Sequence, residues 1–310
     1  MCLPRAICKI PRVNKLSSVC TVTSGVPQGT VLAPLLFNMY LESLILNIDQ
    51  NCPLTSVYAF ADDLKILSSN PNDLQKALYI IESWSSKWNL QIQPSKSVHL
   101  FFPYSRNSSS LVNTFHINNS LIPQSDNVKD LGLILSKNLK WSDYISSITN
   151  KANITAHTIL RSFQTNNTNV IINLYNMYVR PTLEYNTSIW NPNLIKDINC
   201  VESVQRKFTK RLCQKNNFKY SYSHRLKLLN MESLETRRYK RDVTLMFKIY
   251  HNLIDVNFNE FFTLPVSPYN LRGHPYQVHV PKHSGSTPRN NFFYNPILTL
   301  RHKLPEDPLN

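Results

Sequence analysis

Apolar positions recur at two different periods along this chain, and the change of period divides it. From Ser17 to Thr23 the residues read as an extended, β-branched segment that ends at Ser24-Gly25-Val26-Pro27-Gln28-Gly29, where glycine and proline force a tight turn. The spacing then becomes helical, with Leu35, Leu36, Met39, Tyr40 and Leu44 in phase and Pro34 suited to a first turn, where its missing N–H costs nothing. Two short apolar runs follow, Ser56 to Phe60 and Leu64 to Ser68, separated by Ala61-Asp62-Asp63; they predict a β-hairpin with an acidic tip. Asn70-Pro71-Asn72 starts a helix that runs to Trp88, with Leu74, Ala77, Leu78, Ile81, Trp84 and Trp88 as its apolar positions. Leu90 to Ile92 and Val98 to Phe102 predict strands around a turn at Lys96, which gives the alternation of a mixed sheet covered by helices. Val128 to Leu135, ahead of Lys137-Asn138, predicts one further strand that closes the sheet region.

From Trp141 the pattern is helical for more than a hundred residues. One stripe holds Trp141, Ile145, Ile148, Ala152, Ile159 and Phe163; Val170 to Val179 follows, ended by Pro181, then Val201 to Leu212 and Ser233 to Tyr250. After Asn257 the composition shifts to Pro, His, Asn and Ser with weak periodicity, which predicts an extended tail. No internal repeat is present. The pattern therefore predicts an α+β chain: a mixed sheet with covering helices over 1–140, a helical region over 141–256 and a Pro-rich, poorly structured tail over 257–310.

Composition agrees with real cores, since 42% of the 310 residues are hydrophobic. Charge adds something the pattern does not show. Thirty-four Lys and Arg face 19 Asp and Glu, a formal net charge of +15, which favours a polyanionic partner. Nucleic acid is the first candidate and an anionic membrane surface the rival. Residues 1–150 carry 12 basic and 9 acidic side chains, against 22 and 10 in 151–310, so the attraction lies mainly in the second part. Between Val201 and Arg241 alone there are 12 basic residues and three acidic ones, Glu202, Glu232 and Glu235. The six cysteines show no C-x2-C pairing, and the nine histidines no H-x3-H or H-E-x2-H arrangement, so neither set predicts a metal site. With no run of 18 apolar residues and no signal peptide, the expectation is a reduced, intracellular protein of the cytoplasm or nucleus, with no membrane partner.

Two features carry chemistry. Asp62 and Asp63 put adjacent carboxylates at a hairpin tip, an arrangement suited to hard cations that prefer oxygen ligands, although adjacent aspartates are also ordinary turn residues. Gly25 to Thr30 is a glycine-bounded turn leading into a helix, through which backbone and the Gln28 side chain approach a nucleotide closely; alone it is equally a plain strand-to-helix turn. Together and in this order the two are far more specific. T-S-G-V-P-Q-G-T-V-L-A-P-L-L-F-N-M-Y-L-E-S-L followed by Y-A-F-A-D-D-L-K-I-L resembles the consecutive nucleotide-contacting and catalytic motifs of reverse transcriptases, specifically those of non-LTR, LINE-like retrotransposons. The resemblance continues through W-S-S-K-W-N-L-Q-I-Q-P-S-K, V-K-D-L-G-L-I-L-S-K-N-L-K-W, L-Y-N-M-Y-V-R-P-T-L-E-Y, V-E-S-V-Q-R-K-F-T-K-R-L and L-L-N-M-E-S-L-E-T-R-R to R-H-K-L-P-E-D-P near the end.

What the resemblance implies can be stated residue by residue. Residues 1–140 are a partial polymerase palm, 141–256 a thumb and post-thumb region and 257–310 the tail. Asp62 and Asp63 are the catalytic, metal-binding carboxylates, with Asp62 the firmer ligand of a two-metal pair; the ion is Mg2+, with Mn2+ as an alternative. Phe60 and Ala61 stand in the Tyr and Ala places of the usual Y-A-D-D. Gly25, Pro27, Gln28 and Gly29 line the nucleotide and template side, and Lys96 faces the triphosphate as a proton donor to pyrophosphate. Leu131 and Gly132 lie in a primer-gripping hairpin. Arg206, Lys207, Lys210 and Arg211, with Gln205 beside them, contact the nucleic-acid backbone, unless they are only a solvated helix face. The partners are an RNA template, a DNA primer and dNTP. Ala33 replaces a common glycine, and no Asp or Glu precedes Glu42, whereas the family uses a third, upstream aspartate. The implied function is therefore an N-terminally truncated RNA-directed DNA polymerase, inactive alone; the alternatives are a non-catalytic nucleic-acid-binding remnant and a host-adopted scaffold. Trp84, Trp88, Trp141 and Trp190 are expected in the core.

Overall fold

The computed structural model describes residues 5–6, 9–10, 15–16, 20–21, 25, 29–103, 114–163, 165, 167–214 and 220–257. The readings of Pro27, Gln28 and the tail beyond Asn257 lie outside these residues. The chain divides by packing into two compact units, 1–125 and 126–310.

In the first unit, four two-residue strands pair antiparallel: β1 (Arg5–Ala6) with β4 (Cys20–Thr21), and β2 (Lys9–Ile10) with β3 (Lys15–Leu16). Helix α1 (Ala33–Asn51) follows the glycine turn with Pro34 in its first turn. Its buried face is Leu41, Leu44 and Ile48, while Leu35, Leu36 and Met39 are exposed. The expected stripe is thus only partly the buried one, because this helix is apolar around most of its circumference and period alone does not select a face. Next comes the hairpin of β5 (Thr55–Phe60) and β6 (Asp63–Ser68). Helix α2 (Pro71–Trp88) is capped by Asn70, whose side chain accepts from the Asn72 N–H at 2.9 Å, a cap that stabilises by about 1 kcal/mol. Asn89 ends it in the left-handed conformation. Ala77, Leu78, Ile81 and Trp84 meet the buried face of α1, with Val57, Leu64 and Ile66 of the hairpin packed against the same core.

The expected strands at 90–92 and 98–102 do not form. Pro94 to Lys96 makes one 3-10 turn, and among the described residues the run pairs through a single parallel bridge between His99 and Gln124. Proline fixes φ and donates no hydrogen bond, so it breaks the ladder where the run is already short. In place of a mixed sheet, the described residues form five separate two-stranded antiparallel sheets. One of these, β7 (Phe115–Ile117) with β8 (Ser120–Ile122), turns on Asn118 and Asn119, both at positive φ.

The second unit opens with another hairpin, β9 (Asn127–Asp130) with β10 (Leu133–Ser136): the apolar pattern predicts one strand here, whereas the family resemblance implies a hairpin at Leu131 and Gly132. Leu133 belongs to this unit's core. Around it pack α3 (Ser142–Ser162), α4 (Thr168–Leu174), α5 (Arg180–Glu184), α6 (Thr187–Trp190), α7 (Ile195–Gln214), α8 (Tyr222–Leu228) and α9 (Leu234–Tyr250). The helix expected to stop at Pro181 continues to Glu184. A widened π turn over Tyr175–Val179 joins α4 to α5 and puts Pro181 in the first turn of the new segment, where it breaks no α-helical bond. Tyr175, Val179, Leu183, Trp190, Val201 and Phe208 form the centre of the core.

Candidate nucleotidyl-transfer site

The acidic tip is a two-residue turn. Phe60 pairs with Asp63 across the ladder, leaving Ala61 and Asp62 as the turn itself, and Ala61 sits at φ 51, a conformation that a β-carbon strains. Asp62 and Asp63 are exposed next to one another. The register alternates faces: Val57, Leu64 and Ile66 face the helices, while Tyr58 pairs with Lys65 and Phe60 with Asp63 on the other face. That second face carries Tyr58 and Phe60 exposed to 57% and 63%, an aromatic surface beside the carboxylates.

Adjacent carboxylates on a hairpin turn suit Mg2+ by ligand type. A complete two-ion centre needs more. Among the described residues no group of three His, Cys, Asp or Glu stands together, so Asp62 and Asp63 supply part of such a site. Lys96 is exposed on its 3-10 turn, its own N–H bonded to the Gln93 carbonyl oxygen at 3.1 Å, and makes no ion pair with either aspartate. Gly25 and Gly29 take φ +85 and +83, conformations open to glycine, with free space where a β-carbon would stand.

In the second unit Leu131 and Gly132 form the β9–β10 turn, both at positive φ, 44 and 87. The Tyr185 hydroxyl donates to the Leu131 carbonyl oxygen at 2.9 Å, and the indole N–H of buried Trp190 holds the Tyr185 carbonyl oxygen at 2.7 Å. Tyr185 was not singled out from the sequence, although it is the last residue of the L-Y-N-M-Y-V-R-P-T-L-E-Y block.

The basic stretch divides into exposed and internal cations. Arg206, Lys207, Lys210 and Arg211 are exposed on α7. Lys207 and Arg211 border a groove of about 450 Å³ against α3, with Asn153 and His157 opposite and Phe208 and Leu160 below. Arg206 lies 5.2 Å over the Tyr222 ring. Gln205, read with this basic face, is fully buried: it accepts from the Tyr175 hydroxyl at 3.2 Å and donates to the Glu232 carbonyl oxygen at 2.8 Å. Burial of Tyr175, and burial together with the Glu202 bond at Tyr222, push both phenols far above their ordinary range. Arg225 is buried, donating to the Tyr220 carbonyl oxygen at 2.6 Å. Arg237 and Arg241 close on buried Glu184; the Glu184 hydrogen bond holds the Arg237 guanidinium more firmly protonated than usual. Arg238 is 2% exposed, with its Nε and one Nη lacking partners, and burial lowers its affinity for its proton.

With this geometry in place, comparison with known proteins is specific. Residues 2–135 match the family model described as reverse transcriptase (RNA-dependent DNA polymerase). This part of the chain belongs to the reverse transcriptase family. The acidic turn, both glycine positions, Lys96 and the Leu131–Gly132 turn all fall inside the matched stretch. The chain is 26% identical over 209 residues to a probable RNA-directed DNA polymerase from transposon X-element of Drosophila melanogaster, a match covering 63% of this chain and 22% of that protein. It is 24% identical over 210 residues to the RNA-directed DNA polymerase from mobile element jockey of the same species, again 63% of this chain and 22% of the other. An uncharacterized Caenorhabditis elegans protein is 28% identical over 133 residues, 43% of this chain and 65% of that one. The chain spans about a fifth of the transposon polymerases it matches. No solved structure matches the chain. No helix among the described residues is long and apolar enough to cross a membrane.

Proposed function

We infer that this chain carries the later part of the palm of an RNA-directed DNA polymerase, with a thumb-like helical region after it. The observation that supports the reading is the acidic turn of β5–β6, two exposed neighbouring carboxylates within the stretch that matches the family. Asp62 is the principal metal ligand and Asp63 its neighbour, with Mg2+ the expected ion and Mn2+ the alternative. Bound there, such ions would activate the primer hydroxyl and stabilise charge on the leaving pyrophosphate. Phe60, Ala61, Gly25, Pro27, Gln28 and Gly29 border the nucleotide and template, and Lys96 supplies a proton to pyrophosphate. Leu131 and Gly132 grip the primer end. Arg206, Lys207, Lys210 and Arg211 meet the backbone of the RNA template and DNA primer, contacts that position without reading sequence.

No Asp or Glu precedes Glu42 in these residues, and among the described residues neither outer edge of the β5–β6 hairpin is paired. The chain alone is accordingly expected to bind template–primer without extending it. That same shortfall favours, as a second reading, a non-catalytic nucleic-acid-binding remnant; a scaffold for protein contacts is the third.

Primer extension on an RNA template, with dNTP and Mg2+, separates them. The expected outcome is no incorporation by the chain alone, incorporation when an acid-bearing upstream segment is supplied in trans, and loss of that incorporation in Asp62→Ala. Salt-sensitive RNA binding with no incorporation even after complementation establishes the remnant. Absence of RNA binding altogether leaves only the scaffold.

A further inference from the structure

A second groove lies in the first unit, between α1 and α2, apart from the acidic turn; Trp84, Lys87 and Trp88 of its lining belong to the W-S-S-K-W block, to which no role has been assigned. Its volume is about 450 Å³, within the ~300–1,000 Å³ range of sites that hold a small organic ligand. Trp84 forms its floor, Tyr79 and Trp88 its aromatic walls, and Lys76 and Lys87 supply positive charge; no carboxylate lines it. Tryptophans at helical spacing are expected in the core, and Trp84 and Trp190 are there. Trp88 is not. It is 43% exposed and Tyr79 is 58% exposed, so the chain leaves two large ring faces in water on one helix, nine residues or roughly 13 Å apart.

The two tryptophan rings are held in place. Tyr40 of α1 lies 4.8 Å from the Trp88 ring and 5.2 Å from that of Trp84, and its hydroxyl donates to the Trp88 carbonyl oxygen at 3.0 Å. The Trp84 indole N–H donates to the Ser43 hydroxyl at 3.0 Å, which fixes the floor. Lys87 sits 5.8 Å over the Trp88 ring, and the Lys76 ammonium, bonded to the Asn51 carbonyl oxygen at 2.8 Å, keeps further donors for a ligand. Aromatic faces interleaved with lysines, with no carboxylate among the lining residues, fit a ligand that is both flat-ringed and anionic. A single-stranded polynucleotide has both properties along its length. A duplex, whose bases are already stacked on one another, does not offer the rings.

We propose that the α1–α2 groove is an accessory binding site for single-stranded nucleic acid, with bases stacked on Trp88 and Tyr79 and phosphates met by Lys87 and Lys76. The site does not depend on Asp62 and Asp63, so a chain that fails at primer extension still binds here.

The test uses the full chain with Arg206, Lys207, Lys210 and Arg211 replaced by glutamine, which silences the exposed cations of α7. Fluorescence anisotropy follows a labelled oligouridine and a duplex of the same length over a range of salt concentrations. Trp88→Ala and Tyr79→Ala are each expected to weaken single-strand binding about tenfold, the size of one lost stacking contact, and Lys87→Gln to lower the salt slope by about 0.7. A photoreactive 5-iodouridine oligomer is expected to cross-link to Tyr79 or Trp88. Trp88→Phe, which keeps a ring, retains most of the binding. Unchanged affinity in the Tyr79 and Lys87 variants overturns the proposal even if Trp88→Ala loses binding, because that pattern is misfolding. Equal losses for the duplex, or cross-links mapping outside α1 and α2, overturn it too, as does occupation of the groove by an acidic peptide in preference to the oligomer.

Discussion

The Tyr185 hydroxyl hydrogen-bonds the Leu131 carbonyl oxygen at 2.9 Å, so a residue at the end of one helical segment holds the tip of the β9–β10 turn. Leu131 is the strained partner. Its φ of 44 is one that a branched side chain adopts only at a cost on the order of 1 kcal/mol, and the next residue, Gly132, needs φ 87. The turn is therefore shaped partly from outside, by a tyrosine whose own carbonyl oxygen is anchored to Trp190.

If that tether holds the turn, Tyr185→Phe lowers stability by about 1 kcal/mol, the worth of one hydrogen bond, and speeds amide exchange at Leu131 to Leu133 while α3 stays protected. Gly132→Ala is expected to cost about 1 kcal/mol or more through conformation alone, since an added β-carbon would meet only an ordinary 3.5 Å contact with the Tyr185 ring. Denaturant unfolding and hydrogen exchange measure both. Unaltered exchange at the turn in Tyr185→Phe would show that the β9–β10 pairing suffices by itself.

Glu184 is buried to 8% side-chain exposure and accepts from Arg237 and Arg241, with Arg180 Nε 3.7 Å away. Removing this carboxylate leaves three guanidinium groups facing one another. Glu184→Gln is expected to destabilise the chain by about 2 kcal/mol, short of the cost of a fully buried pair because the arginines are 29–45% exposed and recover water. A double variant with Arg237→Met should recover part of that loss in thermal unfolding. Additive losses in the double variant would mean that the two side chains do not act as a pair.

The division of the basic stretch makes a sharper contrast. Replacing Arg206, Lys207, Lys210 and Arg211 by Gln is expected to leave the melting temperature nearly unchanged and to flatten the salt dependence of template–primer binding, by up to about 0.9 in slope for each lost phosphate contact. Arg238→Ala should do the reverse, lowering stability with no change in slope, because Arg238 is 2% exposed and lies inside the fold. Equal effects from both variants would contradict the division.

How much of this was legible in the residues varies with the physics of each element. Helix α2 could be read end to end, because Asn70, Pro71 and the stripe from Ala77 to Trp84 all specify the same boundaries. In α1 the start at Pro34 was legible, and the end at Asn51 and the buried face were not: Leu35, Leu36 and Met39 are as apolar as Leu41 and Ile48, and only tertiary packing distinguishes them. The run from Val98 to Phe102 looked like a strand because strand propensity says nothing about whether a partner edge is available. Asn118-Asn119 did carry a turn signal, and attention to residues that accept positive φ would have found that hairpin; the one at Leu131-Gly132 was legible from the family resemblance but not from the apolar pattern. At the site, the adjacent carboxylates and their turn were readable from A-D-D between two apolar runs. Which arginines were free was not, since Glu184 and the cations that close on it lie 53 and 57 positions apart.

His99 gives the first unit an acid sensitivity whose sign can be worked out. Its backbone bridges to the 123–125 segment, with its N–H on the Pro123 carbonyl oxygen at 3.0 Å and its own carbonyl oxygen taking the Ser125 N–H at 2.9 Å, and its ring stands edge-on to Phe115 at 4.7 Å. Burial holds the imidazole pKa below its ordinary 6.5, because the charged ring is poorly solvated there. The folded chain therefore favours the neutral ring. The stability this contributes is complete above the unfolded value and is lost as pH falls through the lower, folded one. Thermal unfolding followed from about pH 7.5 to about pH 5 should show a decline that begins as pH falls through the ordinary histidine value and levels off below the lower, folded one. His99→Gln, which cannot take up a proton, is expected to be less stable at the upper end and to decline less across the same window. A His99→Gln profile that runs parallel to that of the parent would place the acid sensitivity in other groups.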